Sequence, residues 1–599
     1  MGIQEPSDEV HDTNSFLKGS IHYDGSMYVV ELPWINNVKM LRDNFELAWT
    51  RLQQTERAML KNPDRSTRES PLMSTWTQVQ LCKATHMVGV LLRFRLYSIA
   101  VQADIMKMFL QIGLKEKDRD VTRFLWKDLS KDKLHVYRFN RVCFGLICSP
   151  FLAMAVIRYH AELKKEVHPE AARIVENNIY IDDVLLSVEN HEAARRMIKD
   201  LNNLMESGGF QLAKWASNDN SVLSDIAVEK RATTDNREIL RALGLHWNRE
   251  RDEFTFVALN TENEKNFTMR KLISDASKLF DPLGFLTPFV VRAKILFQKL
   301  WQAGIDWEEP LTSSIADDWS KWKREAKNLW KIKIPRSLIP SPVEETDSIE
   351  LHVYGDASKW AYGAVAYLKV ISKDKTTVRF IMSKSRVAPL KTITLPRLEL
   401  MAALIAAKLV GFIKNSLAIP IQRVICWTDS QIVLSWIQSE AKNWKPFVRN
   451  RVELIQQLTE PKLWKYCPSE NNPADLISRG TSVSKLKDCR LWWEGPPSLL
   501  NPEPCEKTSE EHMQHPDALE ERCLFSGISS INDDQFEYVI DPSRFHTFSK
   551  LARVTAWCLR FAKNCRHASK QRQEELTIEE LNDGRALLDE SHAERNVQR

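Results

Sequence analysis

The stretch IELHVYGD at residues 349–356 decides the fold of the second half of the chain. Its apolar and polar side chains alternate with the period of a half-buried strand, and it ends on Asp356. The next stretch, AYGAVAYL at residues 361–368, predicts a second strand, and a third is predicted around residues 378–383. Three strands in series predict an antiparallel meander that directs the Asp356 carboxylate into a cleft.

Three more acidic residues follow at the ends of predicted elements or on a core helix. TLPRLELMAALIAAKLVGFI at residues 394–413 predicts a helix that carries Glu399 among apolar side chains. VICWTD predicts a further strand that ends on Asp429, and the motif NNPAD opens another predicted helix at Asp475. Four carboxylates are therefore expected to meet on one fold.

As a set, these carboxylates predict a metal site. A single acidic residue is most often exposed, and a buried one is costly unless it is paired, hydrogen-bonded or neutralised by a metal ion. Carboxylate oxygens are the ligands that Mg²⁺ prefers, and two such ions about 4 Å apart can activate a water molecule and stabilise the leaving oxygen of a phosphodiester.

The motifs YGDAS, LPRLEL, WTDSQIVLSWI and NNPADLISRG resemble those of the ribonuclease H domain in Bel-Pao long-terminal-repeat retrotransposons. The resemblance implies a ribonuclease H-like domain over residues 346–482, a mixed sheet with flanking helices. It also implies two Mg²⁺ (or Mn²⁺) ions at the site and the RNA strand of an RNA/DNA hybrid as substrate. The ions would be held by Asp356, Glu399, Asp429 and Asp475. Many ribonucleases H carry a histidine shortly before the last aspartate, but residues 464–475 contain none, so slower turnover is expected.

A second acidic constellation lies upstream. NIYIDDVLLS at residues 178–187 predicts a hairpin tip that presents Asp182 and Asp183, and VQADIMKMFL at residues 101–110 predicts a strand that carries Asp104. Paired aspartates repel each other unless a cation intervenes. With FGLICSPF at residues 144–151 between them, this order resembles a reverse transcriptase palm.

The palm resemblance implies that Asp104, Asp182 and Asp183 bind two Mg²⁺ ions, with an RNA template, a DNA primer and deoxynucleoside triphosphates as partners. Phe109 would exclude a 2′-hydroxyl, the loop before residue 151 would pack against base and template, and GGFQLAKWASN at residues 208–218 would form the turn that grips the primer. The residues expected to contact substrate are Phe109, Gly145, Ser149, Pro150, Phe151, Lys214 and Trp215.

The polymerase half departs from the family in one place. Residues 60–91 are too short for complete fingers and lack their basic strand, so a palm with truncated fingers is expected over residues 61–209, with impaired polymerase activity. FDPLGFLTP at residues 280–288 is a hallmark of the same family and marks a thumb/connection over residues 210–345, although it also has the composition of simple turns and caps.

The two ends of the chain are expected to be linkers. Residues 1–60 would follow a protease, but they lack the Asp-Ser/Thr-Gly loop of an aspartic protease, so no peptidase activity is expected. Residues 483–599 would lead toward an integrase, which makes the chain an internal piece of a polyprotein. In this tail, residues 544–573 hold eight Lys and Arg and no acidic residue, which indicates either a solvated helix face or a nucleic-acid contact.

Composition sets the outer limits of these predictions. A chain of 599 residues with 43% hydrophobic content has room for several cores, and together the segments predict a multidomain α+β / α/β protein. Scattered cysteines and the lack of a signal-peptide core indicate an intracellular protein, in a cytoplasmic particle or the nucleus. The longest apolar stretch is shorter than the ~20 residues that cross a bilayer, so no membrane partner is expected. The oligomeric state stays open.

Two hypotheses remain at this point. The first is a reverse transcriptase and ribonuclease H whose nuclease is more secure than its polymerase. The second is a catalytically dead, transposon-derived protein that binds nucleic acid or has lost all function.

Overall fold

A computed structural model describes most of the chain between residues 19 and 586. The described residues are 19–33, 50, 53, 87–128, 133–146, 148–232, 239–258, 267–340, 346–373, 375–501, 520, 547–566, 576–583 and 585–586. They fall into two units, residues 1–522 and residues 523–599, and each is described by itself. The stretch on which the truncation of the fingers was predicted, residues 61–86, lies outside the described residues.

The first part of the larger unit is a four-stranded antiparallel sheet, in the order β7-β8-β3-β9, backed by helices. Its elements are β1 Ile21–Tyr23, β2 Tyr28–Val30, α1 Met87–Phe94, β3 Ile99–Ile105, β4 Gly113–Leu114, β5 Arg123–Asp128, β6 Lys133–Arg138, α2 Ser149–Leu163, α3 Pro169–Asn178, β7 Ile179–Tyr180, β8 Asp183–Val188, α4 His191–Ser207 and β9 Leu212–Ser217. Alternate side chains of β3, such as Val101 and Ala103, are buried in one core with α2 and α4. This is the palm.

Three details of the palm correct the sequence predictions. The strand that carries Asp104 ends at Ile105, because Lys107 adopts a left-handed conformation (φ 51°) that turns the chain into a short 3₁₀ helix. The palm extends past residue 209 to include β9. Part of the segment predicted as an N-terminal linker packs on the palm, since Tyr28 and Val30 are buried in the palm core and β2 pairs with β4.

The region predicted as thumb and connection forms a second four-stranded sheet, in the order β10-β11-β12-β13, with three helices. The elements are β10 Ile239–Ala242, β11 Leu245–Asn248, β12 Glu253–Thr255, α5 Met269–Ser277, α6 Thr287–Gln302, α7 Ser313–Ala326 and β13 Lys333–Pro335. Two fully buried arginines bind this region to its neighbours. Arg336 donates to the carbonyls of Phe94 and Tyr97, and Arg95 donates to the carbonyls of Phe380 and Ile381.

The FDPLGFLTP motif forms the joint between the connection and the next sheet. The Asp281 carboxylate accepts hydrogen bonds from the backbone N–H groups of Phe285 (2.9 Å) and Leu286 (2.7 Å), just ahead of α6. Gly284 has φ +74°, and a Cβ there would lie 2.3 Å from the carbonyl oxygen of Ser383. The Ser383 hydroxyl donates to the Gly284 carbonyl at 2.6 Å. The motif therefore forms a capped turn that contacts strand β16 of the next sheet.

The third part is a five-stranded mixed sheet in the order β16-β15-β14-β17-β18. Its elements are β14 Thr346–Ala357, β15 Ala361–Ser372, β16 Lys375–Val387, α8 Leu395–Leu417, β17 Arg423–Thr428, α9 Gln431–Gln438, α10 Pro446–Leu458, β18 Trp464–Tyr466 and α11 Asp475–Arg479. The predicted antiparallel meander is confirmed in β14 to β16, while β17 and β18 add in parallel. This sheet and the connection share one hydrophobic core.

Helix α8 is the core helix of this sheet. A Cβ at Gly355 of β14 would lie 3.3 Å from the backbone carbonyl of Ala402, so the strand and helix are in close contact. By length and composition α8 could cross a membrane, but most of its apolar side chains are buried against the sheet and α10. Its apolar character is explained by that core position.

The segment after residue 482 also differs from the linker that was predicted. Helix α12 Val483–Lys487 packs on α6 and α7, and α13 Arg490–Glu494 packs on β16 of the sheet. The buried indole of Trp492 donates to the Phe285 carbonyl at 2.9 Å. The Tyr367 hydroxyl donates to the Trp492 carbonyl at 2.7 Å. In the smaller unit, the basic stretch forms α14 Phe548–Arg566, on which Trp557 and Phe561 are exposed.

Candidate active sites

Strand pairing places two predicted nuclease carboxylates side by side. β14 and β17 run parallel, with Gly355 paired to Thr428, so Asp356 and Asp429 each follow the last paired residue at the same edge of the sheet. The β17 strand buries Val424, Ile425 and Cys426 in the core, and this burial fixes its register. Two distant sequence motifs thus present neighbouring carboxylates.

The other two predicted carboxylates approach from helices. Glu399 lies near the start of α8, where burial raises its pKa and the charge of Asp429 adds to the shift. Asp475 is the first residue of α11, and burial also raises its pKa, against the pull of Arg479. The structure therefore brings all four predicted nuclease residues together.

Two buried oxygen atoms of this cluster lack a hydrogen-bond partner among the described residues. Asp356 is 5% exposed, and burial, followed by repulsion from Asp429, raises its pKa to about 7. Asp356 Oδ2 and Asp429 Oδ1 are buried, and neither has a hydrogen-bond partner among the described residues. A buried unsatisfied oxygen costs about 1–3 kcal/mol, and more when it is charged.

A divalent cation fits these oxygen atoms, because hard cations prefer carboxylate ligands. Among the described residues, no three Asp, Glu, His or Cys side chains are already spaced as a metal-binding cluster. The fit to a metal ion therefore rests on the unpartnered buried oxygens of Asp356 and Asp429 and not on a formed ligand set.

Several supporting residues were missed by the sequence argument. The Ser469 hydroxyl donates to Asp429 Oδ2 at 2.8 Å, and Arg479 Nε lies 2.7 Å from Asp475 Oδ1. The second contact had a signal, since an arginine four residues after an aspartate on a helix lies on the same face. The first depends on a loop meeting a strand end, which spacing alone does not predict.

Many ribonucleases H carry a histidine shortly before the last aspartate, and residues 464–475 of this chain contain no histidine. Tyr466, at the end of β18, pairs with Thr428 beside the Asp429 strand end and is 40% exposed.

The palm brings its three predicted aspartates together in the same way. Asp104 of β3 is directly opposite Asp183 of β8, and Asp182 lies in the tight β7–β8 turn after Ile181, which has φ 56°. Burial raises the pKa of Asp183 to about 7, and the charges of Asp182 and Asp104 add to the shift. Lys214 Nζ lies 2.9 Å from Asp104 Oδ2, so one ammonium group offsets this acidic cluster.

The residues predicted to contact substrate divide into two groups. Phe109 is half-buried and packs edge-on against Phe144, with ring centroids 5.0 Å apart. Phe144 and the neighbouring Gly145, which has φ +93°, are exposed ahead of α2, and Pro150 and Phe151 are half-buried in its first turn. These residues can meet a ligand.

The second group faces the protein interior. The Ser149 hydroxyl is buried and donates to the Cys143 carbonyl at 2.6 Å, so it holds the loop together. Trp215 is fully buried in the palm core, which leaves its side chain unavailable to nucleic acid. Residues 212–217, predicted as part of a primer-gripping turn, form strand β9, and only the residues before it turn the chain.

Comparison with known proteins gives two family matches. The model described as "Reverse transcriptase (RNA-dependent DNA polymerase)" matches residues 47–215, which include all three palm aspartates. The model described as "Pao retrotransposon-like RNaseH-like domain" matches residues 268–430, which include the connection helices and Asp356, Glu399 and Asp429. No curated protein sequence matches the chain.

Among solved structures, the chain is similar to the foamy viral protease-reverse transcriptase. In a complex with double-stranded DNA described as dRH, the two share 14% identity with a TM-score of 0.41, and the match covers 67% of this chain and 61% of that one. In another complex with double-stranded DNA the identity is 14%, the TM-score 0.42, and the coverage 78% and 95%. In a complex with an RNA/DNA hybrid the identity is 14%, the TM-score 0.40, and the coverage 65% and 46%.

Proposed function

We propose that the nuclease site of this chain cleaves the RNA strand of RNA/DNA hybrids. The chain is a Pao retrotransposon Pol protein with a reverse transcriptase domain and a ribonuclease H-like domain. The observation that carries this proposal is the pair Asp356 and Asp429 at adjacent strand ends, each with a buried oxygen that lacks a partner. Glu399 and Asp475 complete the acidic set around them.

In this proposal the four carboxylates would hold two Mg²⁺ or Mn²⁺ ions. When bound, such ions supply a hydroxide nucleophile at neutral pH and neutralise charge on the leaving oxygen. The chain itself positions the ligands. Ser469 fixes one oxygen of Asp429, Arg479 fixes one oxygen of Asp475, and the Ser358 hydroxyl, which donates to the Ser478 carbonyl at 2.8 Å, ties the strand end to α11.

We also propose that the palm carries RNA-directed DNA synthesis on a primed template. Asp104, Asp182 and Asp183 would hold the metal ions for deoxynucleoside triphosphates, and Lys214 balances the charge of Asp104. Phe109 and the exposed loop at Phe144 and Gly145 form a half-exposed surface near these groups that can pack against a nucleotide. We expect this activity to be weaker than the nuclease because the segment available for fingers is short.

The nuclease proposal is tested with the full chain on a labelled RNA annealed to DNA, in Mg²⁺ and in Mn²⁺. The folded wild type should release RNA fragments, and Asp356→Asn should lose at least about 100-fold in rate, the range for removal of one group that stabilises a transition state. Asp317→Asn, an exposed carboxylate on α7, is the matched control and should retain full activity.

A folded wild-type chain that leaves the hybrid intact would overturn the proposal and favour the alternative, a transposon-derived protein without catalysis. The polymerase is tested on a primed RNA template. Extension that is equal for wild type and Asp182→Asn would remove the palm from the proposal.

A further inference from the structure

An exposed tryptophan lies at the hairpin tip that follows the first nuclease carboxylate. Trp360 is 38% exposed in the β14–β15 turn, four residues after Asp356. Two ammonium groups lie over its ring: Lys299 Nζ is 5.3 Å from the ring centroid and Lys359 Nζ is 5.1 Å from it. Lys299 belongs to α6 of the connection, so residues far apart in sequence build this cluster.

The cluster is held in place by contacts from several elements. The Trp360 backbone N–H donates to the Ser358 hydroxyl at 3.2 Å, and its carbonyl accepts from the Ala388 N–H at 2.8 Å. Gln298, next to Lys299, donates to the Ala388 carbonyl, and Ser358 donates to the Ser478 carbonyl of α11. The turn therefore keeps a fixed position relative to both the connection and the helix that carries Asp475.

The two ammonium groups contact the Trp360 ring and no carboxylate among the described residues. In the described part of the chain, neither Lys299 nor Lys359 forms an ion pair with a carboxylate. An ammonium group over an aromatic face is attracted to the ring but keeps its hydrogen-bond donors for another acceptor. Two such groups beside a nuclease site match the spaced negative charges of a nucleic-acid backbone.

We propose that Lys299, Lys359 and Trp360 form a phosphate-binding platform that holds the backbone of the hybrid as it enters the nuclease site. The two lysines contact phosphates, and Trp360 is a positioning residue that orders their ammonium groups. The inference rests on the proposed nuclease function and names the surface that its substrate contacts. Since both lysines touch only backbone, the platform binds hybrids irrespective of sequence.

The test measures binding of a fluorescent RNA/DNA hybrid to the full chain in EDTA, over a series of salt concentrations. The double variant Lys299→Gln/Lys359→Gln should bind more weakly and should reduce the slope of log K against log salt by about 2, one unit for each lost contact. Trp360→Ala should weaken binding about two- to five-fold, the range for an exposed cation–π contact, and Trp360→Phe should restore most of it.

The matched control is Trp330, which is 51% exposed and has Lys331 Nζ 5.6 Å from its ring, on a short helix between α7 and β13. Trp330→Ala and Lys331→Gln should leave affinity and slope unchanged. Thermal melts of all variants should match the wild type, and a simple loss of folding would lower them.

Unchanged affinity and slope in the double variant would show that the two lysines do not contact the phosphates of the hybrid, which would overturn the proposal. Another acidic partner, such as a protein, would then be the ligand of these lysines. That result is separate from failure of the nuclease proposal, because the same wild-type preparation is assayed for hybrid cleavage. A wild type that cuts hybrid while the double variant binds equally well removes only this inference.

Discussion

The two acidic sites of this protein use similar residues but balance their charge differently. In the palm, Asp104 is 22% exposed and has the ammonium group of Lys214 at 2.9 Å. In the nuclease site, Asp356 is 5% exposed, and one oxygen of Asp356 and one of Asp429 have no described partner. The palm carries a cation of its own chain, whereas Asp356 and Asp429 form no ion pair among the described residues. We therefore expect the nuclease to be more sensitive to changes in its carboxylates and to metal supply.

The surroundings of the two sites differ as well. Asp356 and Asp429 lie at strand ends of a five-stranded sheet that shares its core with the connection, whereas most buried residues of the four-stranded palm sheet lie in a second core. Buried contacts through Arg95, Arg336 and the Gly284 turn join these parts of the larger unit. Variants that change one site and leave the other intact test whether the two sites differ in this way.

The largest expected effect is loss of chemistry at one site without loss at the other. Asp429→Asn should lower hybrid cleavage by about 100- to 1,000-fold, because it removes one charged group from the metal-binding set, and should leave primer extension unchanged. Asp183→Asn should do the reverse. Both activities are measured on the same preparations, and a variant that abolishes both would show that the two sites are not independent.

Loss of a buried ion network on strands β14 and β15 of the nuclease sheet should have the next largest effect. Glu350 contacts His352 and Lys369, both buried, and Glu350→Gln would leave Lys369 without its carboxylate, at a cost of about 3 kcal/mol in the free energy of unfolding. Asp347→Asn, an exposed change on the same strand, should cost little. Denaturant unfolding measures both, and equal stabilities would mean that the network contributes nothing.

The same network predicts a pH dependence. The hydrogen bond from His352, with the nearby positive charges, lowers the pKa of Glu350 to about 2 from an ordinary value of 4.5. Because the folded pKa is the lower one, the stabilisation is fully present above pH 4.5 and is lost as the pH falls toward 2. The stability difference between wild type and Glu350→Gln should shrink over that window.

A smaller effect is expected at the joint between the connection and the nuclease sheet. Gly284→Ala should cost about 2 kcal/mol or more, because φ +74° is unfavourable for alanine and the new Cβ would lie 2.3 Å from the Ser383 carbonyl. Gly304→Ala is the control, with φ +69° and nothing within 4 Å of the added Cβ. It should cost only about 1 kcal/mol. Equal melting temperatures for the two variants would contradict a tight joint at Gly284.

The smallest effect is expected from loss of the hydrogen bond that Ser469 donates to Asp429. Ser469→Ala removes one hydrogen bond to Asp429, worth about 1 kcal/mol, so the Mg²⁺ concentration for half-maximal cleavage should rise several-fold. Primer extension by the palm should keep its Mg²⁺ dependence. An unchanged Mg²⁺ requirement for cleavage would show that Ser469 does not position Asp429.

The order of most elements and the identity of the acidic residues follow from the sequence alone. Alternating and helical periodicity predicted the meander and α8, and the motifs at Asp104, Asp182 and Asp356 marked strand ends or turns that the structure also has. These features are local, because side-chain period and turn chemistry follow from residues close together in the chain.

Only the tertiary structure decided which of these residues have partners. The exclusion of Trp215 from the surface, the Lys214 contact with Asp104 and the unpaired oxygens of Asp356 depend on packing between distant segments. The same holds for the domain limits, since β1, β2 and α13 were predicted as linkers and are packed into cores. Contacts such as these join segments that are remote in sequence, so motif spacing along the chain does not predict which side chains they bury or which charges they compensate.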